Sequence, residues 1–329
     1  VSPSPAPAPS VPAAAAEPTA ITAAVEAIGP SVVNIDTTAL TQEFFGPFVR
    51  EVPSQGQGSG VIFSEDGLVL TNNHVIEGAQ VISVTLTDKR QFEARVVGRD
   101  PLSDLAVLKI SADQALPAAR MGDSDAVRIG EWVVAVGNPL GFSNSVTVGV
   151  LSARERSLTS ELRDLLQTDA AINPGNSGGA LVNVRGEVIG ITTAIIRGAQ
   201  GIGFAIPSNT AVRIASELRE KGRVVRPYLG VSMTDLDARI RRYLELPEEV
   251  QGVVITGLAR GGPAARAGLA PGDLVTAVDG RPVESARDLQ ERVRDARVGD
   301  TLVLSIYRQG KELRLPVTLG EMPSRTGSP

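Results

Sequence analysis

The sequence predicts a mainly β chain, with a barrel or sandwich unit preceding a small α+β domain. Three observations carry this reading. Across residues 31–205 short β-branched runs follow one another (SVVNI, SGVIF, GLVLT, VISVTL, DLAVLKI, WVVAVG, ALVNV, EVIGIT), with turn signals between them. Helical periodicity is nearly absent from that span, so the strands do not alternate with helices as a βαβ fold requires. From residue 226 onward, strands mix with helical segments, and a chain of 329 residues exceeds the ~250 at which single cores stop growing.

Taken in order, residues 1–20 (VSPSPAPAPSVPAAAAEPTA) are Pro/Ala low complexity, expected as a linker or tether outside any fold. The chain opens at Val1, so it is expected to be a processed or truncated product with any signal or anchor upstream. A short helix is expected next, with Ile21, Val25 and Ile28 at helical spacing and Gly29-Pro30 stopping it. Asp66-Gly67 and Arg185-Gly186 lie between apolar runs as hairpin turns. Residues 40–57 (LTQEFFGPFVREVPSQGQ) have loop composition and carry Phe44, Phe45 and Phe48, which reads as a long aromatic-bearing or partly disordered loop. Ser208 is expected to cap a helix with Val212, Ala215 and Leu218 on one face, stopped by Gly222. This closes a first folded unit at residues 21–222. The second unit, residues 226–320, reads as strands YLGVSM and GVVITG, a short helix PAARAG, strand DLVTAVDG, a helix over 285–298, and strands TLVLSIYR and KELRLPVTL. Residues 321–329 are expected to be a flexible tail.

Composition narrows the chemistry. The net charge is −5 with acids and bases interleaved, which argues against a nucleic-acid partner because such binders carry a basic patch or stripe. One tryptophan, three tyrosines and seven phenylalanines supply little for base-stacking or carbohydrate clefts. No cysteine is present, which excludes disulfides, thiol nucleophiles and Cys-ligated zinc. The single histidine, His74, excludes a multi-His metal site, and no metal or other cofactor is expected. No apolar run approaches the ~20 residues of a membrane span.

The sharpest local feature is Gly175-Asn176-Ser177-Gly178-Gly179. Small residues around a serine let the backbone turn sharply, let a substrate approach the hydroxyl, and let successive N–H groups point at one place. The same pentapeptide fits the elbow of α/β-hydrolases, whose order is Ser, then Asp or Glu, then His. Here the only histidine precedes the serine, so that reading fails. An Asp, His, Ser order through Asp36 would need an α/β pattern that residues 31–205 lack. There remains His, Asp, Ser, an order found on double β-barrels. His74 directly follows the apolar run GLVL within Thr71-Asn72-Asn73-His74-Val75, which puts its ring at a barrel rim. Among aspartates, Asp104 opens the buried run DLAVLKI. Asp100, set off by Pro101, and Asp169 are the alternatives.

TNNHV, SDLAVLKI and LLQTDAAINPGNSGGALVN resemble the motifs around the catalytic triad of the HtrA/Deg family of serine proteases, and the unit opening RPYLGV resembles the PDZ domain that follows it there. The resemblance spans about residues 20–320. It implies a chymotrypsin-like double β-barrel followed by one PDZ domain, with nucleophile Ser177, general base His74 and orienting Asp104. It further implies an oxyanion hole from the N–H groups of Gly175 and Ser177 with Asn176 between them, each donor worth about 3 kcal/mol of barrier. Ile172, Ile195 and Ile202 would wall the specificity pocket, with residues 198–204 (GAQGIGF) as its glycine-rich loop. A trypsin-like pocket has a carboxylate at its base, and Ala171 takes that position here, so small or branched aliphatic residues are expected before the cut bond. Tyr228, Leu229, Gly230 and Val231 match the family's carboxylate-binding loop. Arg156, in Ser152-Ala153-Arg154-Glu155-Arg156, falls at its regulatory arginine and would bridge to backbone carbonyls near the oxyanion loop.

The resemblance implies an extracytoplasmic endopeptidase of the periplasm or cell envelope. It would degrade unfolded or misfolded proteins in quality control and stress response, assemble as a homotrimer or trimer-based oligomer, and be activated by hydrophobic C-terminal peptides. A non-catalytic chaperone or peptide-binding scaffold is the alternative. The position of the only histidine favours the enzyme.

Overall fold

A computed structural model describes residues 19–45, 48–139, 141, 144–159, 162–195 and 201–323, with side chains described except at 42–45, 48, 49, 51, 194 and 195. Most of the 1–20 linker and of the 321–329 tail, part of the 198–204 loop, and the side chains of Phe44, Phe45, Phe48 and Ile195 therefore lie outside the described residues. The chain divides into two compact units, Val1–Val224 and Val225–Pro329.

The first unit opens with helix α1 (Ala20–Ile28), capped by the Thr19 hydroxyl, which accepts from the Thr22 N–H at 3.2 Å, and ended at Gly29. Then come β1 (Val32–Phe45), β2 (Phe48–Ser64), β3 (Leu68–Thr71), the one-turn helix α2 (Asn73–Ile76), β4 (Val81–Thr85), β5 (Gln91–Glu93), β6 (Arg95–Asp100) and β7 (Leu105–Lys109). These strands make one seven-stranded sheet in the order β5-β4-β1-β2-β3-β7-β6. The following strands, β8 (Trp132–Gly137), β9 (Ser145–Arg156), β10 (Leu165–Thr168), β11 (Ala180–Asn183), β12 (Val188–Ile195) and β13 (Gly203–Pro207), close into a barrel in the order β10-β13-β12-β11-β8-β9. Helix α3 (Ser208–Lys221) ends the unit at Gly222, whose φ of 71° supplies the left-handed turn.

The strands read as continuous apolar runs because each feeds two cores. In β3, Leu68 and Leu70 enter one cluster while Val69 enters another, and in β7 Leu105 and Val107 part in the same way from Ala106 and Leu108. In β8, Val134 and Val136 join the cluster of Leu68 and Leu105, whereas Val133 and Ala135 fill the interior of the closed barrel. One core thus seals the two β layers together, and period-two alternation sorts side chains between cores instead of between core and water.

Two expectations need correction. Residues 40–57 are not a loop: β1 and β2 pair continuously from Val32 opposite Val61 to Phe45 opposite Phe48. Residues 53–57 of this hairpin are exposed, and backbone pairing with no buried face leaves no alternation to read. Ser208 does not cap α3 either. Pro207 holds the cap position and the Ser208 hydroxyl donates to the Gly122 carbonyl at 2.7 Å. The buried face is Ala211, Ile214, Ala215 and Leu218, while Val212 is 41% exposed.

The second unit holds β14 (Pro227–Tyr228), β15 (Val231–Asp235), α4 (Ala238–Tyr243), β16 (Val253–Leu258), α5 (Pro263–Arg266), β17 (Leu274–Val278), β18 (Arg281–Pro282), α6 (Ala286–Asp295), β19 (Thr301–Arg308), β20 (Lys311–Thr318) and β21 (Gly320–Glu321). Its main sheet runs β15-β16-β17-β19-β20, which leaves β15 at an edge. The YLGVSM run is interrupted at Leu229-Gly230, where Gly230 has φ +80°. Helix α6 starts at a capping box of Ser285 and Asp288. The backbone N–H groups of Glu284 and Ser285 donate to Asp288 and hold its carboxyl below the usual carboxylate range.

Candidate active site

His74 stands on α2, directly after β3, with its side chain 46% exposed. Asp104 precedes β7 at φ +55°, a left-handed conformation that aspartate tolerates better than most residues. Its carboxylate is nearly buried and takes three donors. The His74 backbone N–H reaches Oδ1 at 3.0 Å, the His74 Nδ1 lies 2.7 Å from Oδ2, and the Thr193 hydroxyl donates to Oδ2 at 2.6 Å. The Asp104 carbonyl accepts from the Asn72 side chain at 2.9 Å and the Asn73 N–H at 3.2 Å, which ties the start of β7 to α2. A carboxylate beside Nδ1 favours the tautomer with its proton there, leaving Nε2 as the basic nitrogen. The other aspartates have different partners. Asp100 accepts from the Ser103 N–H and hydroxyl in a turn, and Asp169 accepts from the Val150 N–H at 2.7 Å.

Ser177 belongs to the turn between β10 and β11. Gly175 and Gly178 have φ of +93° and +83°, and a Cβ at Gly175 would lie 2.4 Å from Pro139 Cβ. Both positions therefore need glycine, for conformation and for space. The Asn176 N–H donates to the Asn173 carbonyl at 3.0 Å. Among the described residues, no hydrogen bond engages the N–H of Gly175 or of Ser177, so both remain available to a ligand. The Ser177 hydroxyl donates to the Thr193 carbonyl at 3.1 Å. Its transfer to His74 therefore needs a side-chain rotation, in keeping with the loose geometry common in unliganded sites. An open cleft of about 370 Å³ lies over the imidazole, lined by His74, Asp104, Thr193, Asn73, Glu77, Pro101 and Leu162.

The remaining candidates are more dispersed. Ile172 is buried in the interior of the closed barrel against Gly203, and Ile202 is partly buried against the core between the β layers. The Ala171 carbonyl accepts from the Thr147 hydroxyl at 2.8 Å. Arg156 makes no bridge to carbonyls near Gly175 among the described residues. Its Nε donates to Gln167 at 3.1 Å, because the Leu165–Arg156 pairing of β10 with β9 directs it along the sheet. Arg154 binds backbone carbonyls, but those of Asp125 and Val127, at 3.0 and 3.3 Å. In the second unit, the Leu229 and Gly230 carbonyls accept from the N–H groups of Ala264 and Ala259, both at 2.9 Å, while their own N–H groups have no acceptor among the described residues.

Sequence reasoning missed Thr193 and Ser59. Thr193, in the run GITTAI, bonds Asp104 through its hydroxyl and Ser177 through its carbonyl. Nothing local marks it, because its role depends on β12 passing between the two partners.

Comparison with known proteins follows the same division. The trypsin-like peptidase domain family matches residues 58–191 and the PDZ domain family residues 227–319. The chain is 45% identical over 336 residues to the putative serine protease HhoB of Synechocystis sp., covering 93% of this chain and 80% of that protein. It is also 45% identical over 295 residues to a probable periplasmic serine endoprotease, DegP-like, of Chlamydia trachomatis, covering 86% of this chain and 59% of that longer protein. Among solved structures, the HtrA-type protease AlgW with decapeptide matches at TM-score 0.83 and 39% identity, over 92% of this chain and 99% of that one. The serine endoprotease from Yersinia pestis matches at TM-score 0.75 and 36% identity, over 93% and 99%.

Proposed function

The chain belongs to the HtrA/DegP-like family of serine endoproteases, and from that premise we propose that Ser177, His74 and Asp104 cleave peptide bonds in unfolded or misfolded proteins. The observation that carries this is the Asp104 carboxylate 2.7 Å from His74 Nδ1, on the rim of the cleft. Ser177 Oγ attacks the scissile carbonyl carbon as His74 Nε2 takes its proton. The new imidazolium is stabilised by Asp104, and the oxyanion by the N–H groups of Gly175 and Ser177. Collapse expels the amine, which takes the proton from His74, and water then releases the acyl group by the same steps in reverse roles. Ile172 and Ile202, on either side of Gly203, wall the pocket that receives the residue before the cut bond.

The second unit captures hydrophobic C-termini and raises protease activity. Edge strand β15 offers a backbone for strand addition, and the free N–H groups at Leu229 and Gly230, within Tyr228–Val231, suit a terminal carboxylate. A relative solved with a decapeptide supports peptide binding. Activation moves Arg156 from Gln167 toward the Gly175 turn. The names of periplasmic relatives support an extracytoplasmic site of action, and family likeness supports a role in protein quality control and the stress response and a trimeric assembly. The test is fluorophosphonate labelling and casein cleavage, with and without a hydrophobic peptide bearing a free C-terminus. Labelling at Ser177, stimulated by that peptide but not by its C-terminal amide, is expected. Absence of labelling overturns the catalytic reading, and equal stimulation by the amide overturns the carboxylate loop.

A further inference from the structure

We infer that Ser59, on β2, is a positioning residue that sets the oxyanion hole from across the two β layers; this rests on the assignment of Ser177 as nucleophile. Ser59 is fully buried, and each of its polar atoms is engaged. Its N–H donates to the Ser177 carbonyl at 2.8 Å and its carbonyl accepts from the Thr71 hydroxyl at 2.7 Å. Its hydroxyl donates to the Gly175 carbonyl at 2.6 Å and accepts from the Asn138 N–H at 2.8 Å, a pattern that uses its single hydrogen once. One residue of the first sheet thus holds the carbonyls of both residues whose N–H groups form the hole.

The surrounding sequence fits that role. Asn34 lies directly opposite Ser59 in the β1–β2 register, and its side-chain amide donates to the Asn138 carbonyl at 3.1 Å. The cross-strand pair therefore grips both ends of Asn138, which follows β8 of the closed barrel. The neighbours of Asn138 form the floor of the serine turn. A Cβ on Gly137 would lie 2.5 Å from Asn176 Oδ1, and Pro139 lies against Gly175.

The two hole donors differ in how they are anchored. The peptide carrying the Ser177 N–H is fixed at its carbonyl end, since Asn176 O accepts from the Thr192 hydroxyl at 2.6 Å and the Gly179 N–H at 2.9 Å. The peptide carrying the Gly175 N–H has no such anchor, for no hydrogen bond reaches the Pro174 carbonyl among the described residues. Its plane is set by the next peptide, through the left-handed φ of Gly175, and Ser59 holds that next peptide by its carbonyl. Loss of the Ser59 hydroxyl therefore loosens the Gly175 donor first.

The test is steady-state cleavage of a chromogenic peptide by full-length Ser59→Ala, beside the wild type and Ser177→Ala. We expect kcat to fall about 10- to 100-fold, below the cost of deleting a hole donor outright, with KM within about threefold. Affinity for a peptide boronic acid, whose tetrahedral adduct occupies the hole, should fall in parallel with kcat. The pH profile of kcat/KM should keep its shape, because the hydroxyl touches neither His74 nor Asp104. Wild-type kcat, or a loss shared equally by kcat and 1/KM with unchanged boronate affinity, overturns the proposal. Should Ser59→Ala fail to fold, Ser59→Cys carries the same comparison, since a thiol fills the space but bonds weakly, and wild-type kcat in it is equally fatal. Activity surviving in Ser177→Ala would instead overturn the nucleophile assignment, whatever Ser59 does.

Discussion

The two sides of the cleft are held by different means. On the His74 side the anchors are side chains at strand ends: the Asp104 carboxylate takes the His74 N–H, the imidazole and the Thr193 hydroxyl. On the Ser177 side what is anchored is main chain. Its carbonyls are bonded to Ser59, Thr192 and Gly179, its bends are left-handed glycines, and the two N–H groups left unbonded among the described residues are the product of that arrangement. A base needs its tautomer and direction fixed, and a carboxylate does both. An oxyanion needs converging donors, which here the backbone conformation supplies. On the first side a side-chain change should therefore act through the imidazole, whereas on the second, apart from loss of the Ser177 hydroxyl itself, it should act through the main chain it holds.

The largest effect expected is that of Ser177→Ala. Peptide cleavage should fall by about 10⁴- to 10⁶-fold with thermal stability almost unchanged, since the hydroxyl makes a single bond to the Thr193 carbonyl. A folded variant with substantial cleavage would remove the distinction between the two sides altogether. Next, Asp104→Asn should lower kcat by about 10³- to 10⁴-fold, because an amide at Oδ2 can donate to Nδ1 and so favours the wrong tautomer. Fluorophosphonate labelling rates would report it, and a loss under tenfold would mean that α2 orients the imidazole without the carboxylate. Smallest is Thr193→Val, which removes the hydroxyl bonded to Asp104 and keeps the carbonyl bonded to Ser177. A fall in kcat of about tenfold is expected, the scale of one hydrogen bond to a charged group. If boronic acid affinity fell while the pH profile held, Thr193 would belong to the serine side instead.

Legibility in the sequence follows the same division. The places of His74 and Asp104 were readable because each borders an apolar run, and a strand end is a place that local pattern can locate. The sharp turn at Ser177 was readable from its glycines, while the choice of Ser177 as nucleophile came from chain order and resemblance. The long β1–β2 hairpin was misread because residues 53–57 of β2 are exposed in succession and show no alternation, and the face of α3 was misassigned at a single position. Arg156 was placed by resemblance, and its partner in the structure, Gln167, is set by strand register.

By itself the sequence determined the mainly β architecture, the change of pattern before the second unit, the exclusion of thiol and multi-His chemistry, and the order His, Asp, Ser. These follow from composition, period and chain order, which are properties of local segments. Only the tertiary structure decided that Thr193 bonds both Asp104 and Ser177, and that the Asn34–Ser59 pair of the first sheet holds Asn138 and the Gly175 turn of the second. Those contacts join residues far apart in the chain and are made largely to backbone atoms, which every residue carries. No side-chain pattern can therefore encode them before the two β layers meet.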